Sequence, residues 1–311
     1  MPFDKVVLVT RQTALEELVG RFNTAGQARF YIEHAGGSFA SYEDAHRAYA
    51  RALAEVKRRL PRAVKQQVID RAWLPTFTFG PRDLVITLGQ DGLVVNTAKY
   101  LTEQAIIALN PDPERIDGIL NPLLPCELPP ALEACASDAA RIARVSMAVA
   151  RVSDGRELVA VNDLFVGPRT HGSARYLLRH RKLSEEQSSS GLIVSTGAGS
   201  TGWLKSVVAG ALGIASAVTG KSLAASDTRF DWESERLRFF VREPFASRTT
   251  RATLVTGTLE AREELTIESR MPDQGVIFSD GVESDYLPFN AGTTARIGLS
   301  SRKAHLVQRS W

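Results

Sequence analysis

The sequence predicts an α/β half followed by a β-rich half, and three observations carry that expectation. Residues 5 to about 122 alternate short apolar runs with helical patterns, the rhythm of a parallel sheet covered by helices. From about residue 142 the texture changes to closely spaced strand-like runs separated by turn signals. At 311 residues the chain is long enough for two ordinary domains, each with its own core. The expected division is 1–130 and 131–290, with a cleft between the halves of the kind in which ligands usually bind.

In the first half the strand candidates are 5–10, 84–88 and 105–109. Ser41 reads as the N-cap of a helix whose alanines and leucines repeat at helical spacing to Leu60, where Pro61 stops it. Residues 93–101 are helix-like, 121–125 and Pro129-Pro130 read as a linker or domain edge, and 131–141 fits one more helix. In the second half, 142–152 and 157–166 form a hairpin about Ser153-Asp154-Gly155-Arg156. Further strands are expected at 191–195, 236–242, 252–257, 264–268, 275–278 and 294–299, interrupted by a helix over 203–217. Residues 185–190 read as a polar loop, and no internal repeat or long low-complexity tract is present.

Composition narrows the function class. Hydrophobic content of 44% and charged content of 23% are those of a globular protein. Thirty-eight basic against thirty-five acidic residues leave a net charge of only +3, scattered along the chain, which argues against a nucleic-acid surface. A small anionic ligand suffices to explain it. Cys126 and Cys135 are too few for a disulfide framework and lack zinc-ligand spacing, while the five histidines are dispersed. A reducing cytoplasm and no structural metal are therefore expected. The first residues enter a strand without a charged leader or an apolar export segment. The apolar run 207–217 is broken by Gly210 and Gly213 and is shorter than the roughly 20 residues of a membrane span, so no membrane partner is expected.

Three segments carry chemistry. Leu88-Gly89-Gln90-Asp91-Gly92 ends an apolar strand and opens a helix, bringing bare backbone N–H groups and one carboxylate to a point suited to phosphate. Asn162-Asp163 sets an amide beside a carboxylate in an apolar strand, where such groups are costly unless bonded or liganded. The stretch from Thr196 to Trp203 contains G-x-G-x-x-G at Gly197, Gly199 and Gly202 after a strand. A dehydrogenase is disfavoured, because the next acidic candidate, Asp227, follows a poor second strand and the pattern lies at the wrong end of the α/β half. Ser200 is outside a G-x-S-x-G elbow, since Ala198 occupies the first glycine position.

Taken in order, the Gly-x-Asp-Gly turn, the segment Asn110-Pro111-Asp112-Pro113-Glu114-Arg115, the Asn162-Asp163 pair and Thr196-Gly-Ala-Gly-Ser-Thr201 resemble the NAD kinase family. That family shows GGDGT, an Asn-Glu pair and T-x-x-G-S-T-A-Y in this order. Asn-Pro-Asp-Pro-Glu-Arg and the Ser-Ser-Gly before the second loop are most similar to the branch that includes the mitochondrial NAD kinase. The resemblance spans nearly the whole chain.

It implies a Rossmann-like N-terminal domain and a β-sandwich-like C-terminal domain, with the segment from about 290 to 311 returning to the first. It implies transfer of the ATP γ-phosphoryl group to the adenosine-ribose 2′-hydroxyl of NAD, with Mg²⁺, by a homo-oligomer. Asp91 then falls at the position of the base. Gly89, Gly92, Asn110, Asn162, Asp163, Thr196, Gly199, Ser200, Thr201, Gly202, Trp203 and Ser206 fall at nucleotide-binding positions, Asn162 and Asp163 holding ribose hydroxyls.

The chain departs from the pattern. Gln90 and Leu93 replace a glycine and the threonine of GGDGT, Asp163 a glutamate, Trp203 a tyrosine, and Ser190 an aspartate near the nicotinamide side. Two alternatives stay open, a nucleotide-binding module with weak transfer and a kinase for a sugar or lipid hydroxyl. Asp280-Gly281 reads as a turn, and Arg242 equally as a phosphate ligand or the end of a strand-edge salt bridge.

Overall fold

The computed structural model describes residues 3–223 and 227–309, and contacts divide the chain into Met1–Ala143 with His305–Trp311, and Arg144–Ala304. The first unit is built on a parallel sheet. Its strands are β1 (Lys5–Thr10), β2 (Lys65–Asp70), β3 (Asp83–Leu88), β4 (Ala105–Leu109) and the end of β16 (Thr294–Gln308), in the order β2-β1-β3-β4-β16. All six residues of β3 are buried, as a central strand covered on both faces requires. Five helices accompany the sheet, α1 (Ala14–Phe22), α2 (Ala25–His34), α3 (Phe39–Arg59), α4 (Asp91–Ala98) and α5 (Leu128–Ala136). A Thr13–Glu16 capping box starts α1. On α3, Tyr49, Ala52 and Val56 lie on one face and share a core with Val6, Leu8, Leu84 and Ile86. The strands deliver Arg11, Gly89 and Asn110 to the carboxyl edge of the sheet, where ligands of open α/β sheets bind.

The second unit is a β-sandwich. One sheet holds β5 (Arg141–Val152), β6 (Glu157–Ala160), β8 (Ala174–His180), β9 (Leu183–Ser189), β13 (Leu265–Ser269) and the start of β16. The other is antiparallel, in the order β12 (Thr256–Glu260), β11 (Arg236–Val241), β10 (Leu192–Ser195), β7 (Asp163–Pro168), β14 (Gly275–Ser279), β15 (Val282–Pro288). Tyr176, Leu178, Ile267 and Ile297 share a core with Leu164, Val166, Val194, Phe239 and Ile277. Alternation along β7 sends Asp163 and Phe165 to the opposite face, where Phe165, Ile193 and Val276 pack beneath Trp203 and Val207 of α6 (Trp203–Thr219). Of the α6 residues only Leu204 is buried. The helical stretch Gly199–Thr219 is 21 residues long and, by length and composition alone, apolar enough to cross a membrane, longer than the run 207–217 suggests.

The α/β and β-rich halves are as the sequence predicts, with local corrections. Strand β2 escapes the pattern because one of its six residues is buried and four are exposed. The polar loop expected at 185–190 is largely strand β9, whose inward residues Glu185, Gln187 and Ser189 are themselves polar. Gln187 and the backbone of Thr253 donate to Glu185 at 2.8 and 3.0 Å, so this strand hides a hydrogen-bonded network where apolar alternation is normally sought. The expected strand 157–166 breaks at Val161-Asn162 into β6 and β7. Helix α5 begins at Leu128, with Pro129 and Pro130 in its first turn, where a missing N–H does no harm. The strand expected at 252–257 forms at Thr256–Glu260, and β8 and β15 are additional.

Gly275 tests the packing account. A Cβ there would stand 2.0 Å from the Phe289 carbonyl oxygen. Gly275→Ala is expected to lower stability by about 1–3 kcal/mol in a denaturant titration. Gly20→Ala, which meets nothing within 4 Å in α1, should be neutral or raise it by about 0.5–1 kcal/mol.

Candidate functional site

In the first unit the site is the turn between β3 and α4. Gly89 is buried, and a Cβ there would lie 2.8 Å from Leu93 Cδ2, so the glycine accommodates the leucine that replaces the motif's threonine. Leu93 itself is buried. Gln90, the N-cap of α4, is exposed with φ −93°, a conformation any residue adopts. Asp91 follows in the first turn, where its negative charge complements the helix dipole. Its two carboxylate oxygens accept the N–H groups of Leu120 at 2.9 Å and Ile119 at 3.2 Å. Those bonds occupy two of the roughly four lone-pair sites of a carboxylate and fix its direction.

The loop that supplies these donors is held from behind. Asn110 accepts the Asp112 N–H at 2.9 Å and donates to the Ile116 carbonyl at 2.9 Å, and a Cβ on Gly118 would strike its amide nitrogen. Asn121 donates to the Gly89 carbonyl, tying loop to turn. The structure thus places Asn110 as the brace of the loop that orients Asp91. Gly92 differs from Gly89 and Gly118: it is exposed, and a Cβ there meets nothing within 4 Å. A glycine inside a helix costs stability relative to alanine, and none of the described residues comes close enough to require it at position 92.

In the second unit the site is the break between β6 and β7. Asp280 lies in the two-residue turn between β14 and β15 with φ 56°, followed by Gly281 at φ 71°, the left-handed pair an Asp-Gly hairpin turn provides. Its carboxylate accepts three successive backbone N–H groups, Val161 at 3.1 Å, Asn162 at 2.7 Å and Asp163 at 3.2 Å. Thr196 donates its hydroxyl to the Val161 carbonyl and its N–H to the Asn162 carbonyl at 2.9 Å. Gly199 closes the arrangement: a Cβ there would lie 2.4 Å from the Asn162 carbonyl oxygen and 2.7 Å from Asp163 Oδ1. With the backbone so occupied, Asn162 Oδ1 and Asp163 Oδ1 are left as buried acceptors, and the Ser195 hydroxyl, opposite Asp163 on β10, is the neighbouring side chain that bears on the Asp163 carboxyl. Burial raises the Asp163 carboxyl to about 7; the Ser195 hydroxyl opposes the rise and the Asp280 charge adds to it.

The remaining sequence-predicted residues lie along the start of α6. Ser200 is fully buried and spent internally, donating to the Gly197 carbonyl at 2.6 Å. Thr201 and Trp203 are half-buried, while Gly202 and Ser206 are exposed. Trp203 stacks on Phe165 with ring centroids 5.8 Å apart. Sequence reading missed Asn121, assigned to a linker, and the carboxylate role of Asp280, whose turn it did identify.

No protein-family model matches the chain, and no curated protein matches it in sequence. Among solved structures it is similar to an NAD kinase from Archaeoglobus fulgidus in complex with ATP, at 14% identity and a TM-score of 0.57 over 98% of this chain and 93% of that one. It is also similar to yeast NADH kinase complexed with NADH, at 12% identity and a TM-score of 0.55 over 98% of this chain and 84% of that one. The α/β domain followed by a β-rich domain is therefore the NAD kinase-like fold.

The raised Asp163 carboxyl sets the direction of a pH effect. A carboxyl near 7 in the folded state and near 4 when unfolded stabilises the fold at low pH, and that contribution is lost as pH rises from about 4 through 7. Asp163→Asn removes the titration. Its melting temperature should exceed that of the parent at pH 8, the gap shrinking to nothing by about pH 4, with a ceiling of about 4 kcal/mol from three pKa units. A gap independent of pH contradicts the assignment.

Proposed function

We propose that the chain is an NAD kinase-like phosphotransferase, moving the γ-phosphoryl group of ATP to the adenosine-ribose 2′-hydroxyl of NAD. The observation that carries the reading is the pair of buried acceptors at Asn162 Oδ1 and Asp163 Oδ1. Two buried acceptor oxygens on adjacent residues suit a ligand rich in O–H or N–H donors, which a ribose or a carboxamide supplies. The fold likeness to an NAD kinase in complex with ATP and to NADH kinase complexed with NADH supports the same choice.

Each unit has its own task. In the first, the open space at Gly92 and the N-terminal N–H groups of α4 receive phosphate oxygens, and Asp91 orients the attacking hydroxyl and takes its proton as the new O–P bond forms and the bond from the γ-phosphorus to the bridging oxygen breaks, releasing ADP. The Leu120 and Ile119 N–H bonds hold the carboxylate ready for that role without reorganisation. In the second, Asn162 and Asp163 hold hydroxyls of the dinucleotide.

Among the described residues no cluster of three or more His, Cys, Asp or Glu side chains is placed to hold a metal ion. Mg²⁺ would enter as the Mg-ATP complex, held by phosphate oxygens and water, and would neutralise phosphate charge there. The departures at Gln90 and Leu93 do not obstruct this, since one side chain is exposed and the other is buried beneath the turn.

Two variants separate chemistry from fold. Asp91→Asn should lower NADP formation from NAD and Mg-ATP by a factor of about 10²–10⁴ while NAD affinity by calorimetry stays within a few-fold; retained turnover rules Asp91 out as the base. Gly92→Ala should be as stable as the parent, or more stable by up to about 1 kcal/mol, yet raise the KM for Mg-ATP at least ~10-fold, since its methyl group occupies the space proposed for phosphate. An unchanged KM would remove phosphate from that turn.

A further inference from the structure

The β3–α4 turn lacks one thing that a phosphate chain requires. Between Leu88 and Ala98 the only charged side chain is Asp91, and its charge is negative. A polyanion seated beside a carboxylate calls for a cation held close by, and in this stretch the backbone alone supplies positive potential. Arg11, which follows β1, is the side chain that the fold brings to this place.

Its position follows from the sheet. Strands β1 and β3 are parallel neighbours, with Lys5 beside Asp83 and Val9 beside Thr87. The same register, carried past the strand ends, sets Arg11 abreast of Gly89. The side chain lies against the turn, since a Cβ on Gly89 would stand 3.4 Å from Arg11 Cδ. The guanidinium carbon lies 5.5 Å from the ring centre of Tyr49 on α3, and the Tyr49 hydroxyl accepts the Arg11 backbone N–H at 3.0 Å. Tyr49 is buried, so the arginine rests on a fixed ring.

The guanidinium is underused. Of its several N–H donors, Nη1 donates to the Gln12 carbonyl at 3.2 Å. Nε is buried without a hydrogen-bond partner, and no carboxylate among the described residues forms an ion pair with Arg11. The two acids whose charges reach the Tyr49 hydroxyl are engaged elsewhere, Glu16 with the Thr13 N–H at 2.7 Å and Asp70 with the Ala72 N–H at 2.9 Å. Burial raises the Tyr49 phenol, with Arg11 opposing the rise, so that hydroxyl is a neutral neighbour and not the missing anion. A buried donor on a charged group is costly without an acceptor, and the forked guanidinium matches the oxygens of a phosphate.

We propose that Arg11 is a ligand of the donor's phosphate chain: its Nε–H and an Nη–H close on two phosphate oxygens at the β3–α4 turn and supply the positive charge that the turn itself lacks. The assignment takes the seat of the phosphates from the kinase reading. It concerns the binding of the phosphate chain and not its transfer, so the two fail separately.

The test is calorimetry on the full chain with Mg-ATP, inorganic tripolyphosphate and NAD, each added alone to the parent, Arg11→Gln, Arg11→Lys and Arg11→Met. Arg11→Gln should weaken Mg-ATP and tripolyphosphate about ten-fold or more and leave NAD unchanged. It should also make tripolyphosphate binding less sensitive to salt, because one charge has left the site. Arg11→Lys keeps the charge without the fork and should recover part of the loss. Arg11→Met keeps an unbranched stem on Tyr49 and should behave as Arg11→Gln, and neither variant should melt below the parent. Arg11-dependent binding of tripolyphosphate without binding of Mg-ATP would uphold the arginine site and overturn the kinase reading. Mg-ATP bound as tightly by Arg11→Gln as by the parent, no binding of either polyphosphate by the parent, or a lower melting temperature with equal losses for all three ligands in both Arg11→Gln and Arg11→Met each overturns the proposal.

Discussion

The acceptance of three consecutive backbone N–H groups by the Asp280 carboxylate is the interaction on which the second unit's site depends. Those N–H groups span the interruption between β6 and β7 and the first residue of β7, and an unpaired buried N–H is costly. A carboxylate on a hairpin turn satisfies all three at once, and the Asp280 N–H in turn donates to the Asp163 carbonyl at 2.9 Å. The strand can therefore break without penalty at the point that presents the Asn162 and Asp163 side chains. The like charge of Asp280 is also one reason the Asp163 carboxyl is raised. The same group that builds the site tunes it.

The first unit reaches a comparable end by other means. There the carboxylate is the presented group and backbone N–H groups are the support, with Asn110, Gly118 and Asn121 shaping the loop that carries them. In both units a carboxylate meets successive N–H groups, but the free lone pairs belong to Asp91 in one and to the neighbours of Asp280 in the other. Glycines divide along the same line. Gly89, Gly118 and Gly199 are required by atoms of the chain, whereas Gly92 has open space around it.

Much of this was legible in the sequence, and what was not has identifiable causes. Strands β1, β3 and β4 announce themselves because buried parallel strands are near-continuous apolar runs. Strand β9 is hidden because Glu185 and Gln187 point inward and satisfy one another, defeating any pattern based on hydrophobicity. The polar motifs were found because Gly-x-Asp-Gly and Asn-Asp are improbable inside apolar runs. Asn121 and Asp280 were not assigned their roles because both act across the fold, on residues 32 and more than 100 positions away.

The central claim is that the hydroxyl accepting phosphate belongs to a nicotinamide dinucleotide. The most direct measurement is to incubate the purified chain with Mg²⁺, γ-labelled ATP and a mixture of NAD, NADH, free sugars and diacylglycerol, then separate the products. The account predicts label in the 2′-phosphate of NADP or NADPH. Label in a sugar or lipid phosphate, or ATP left intact while NAD binds, would contradict it.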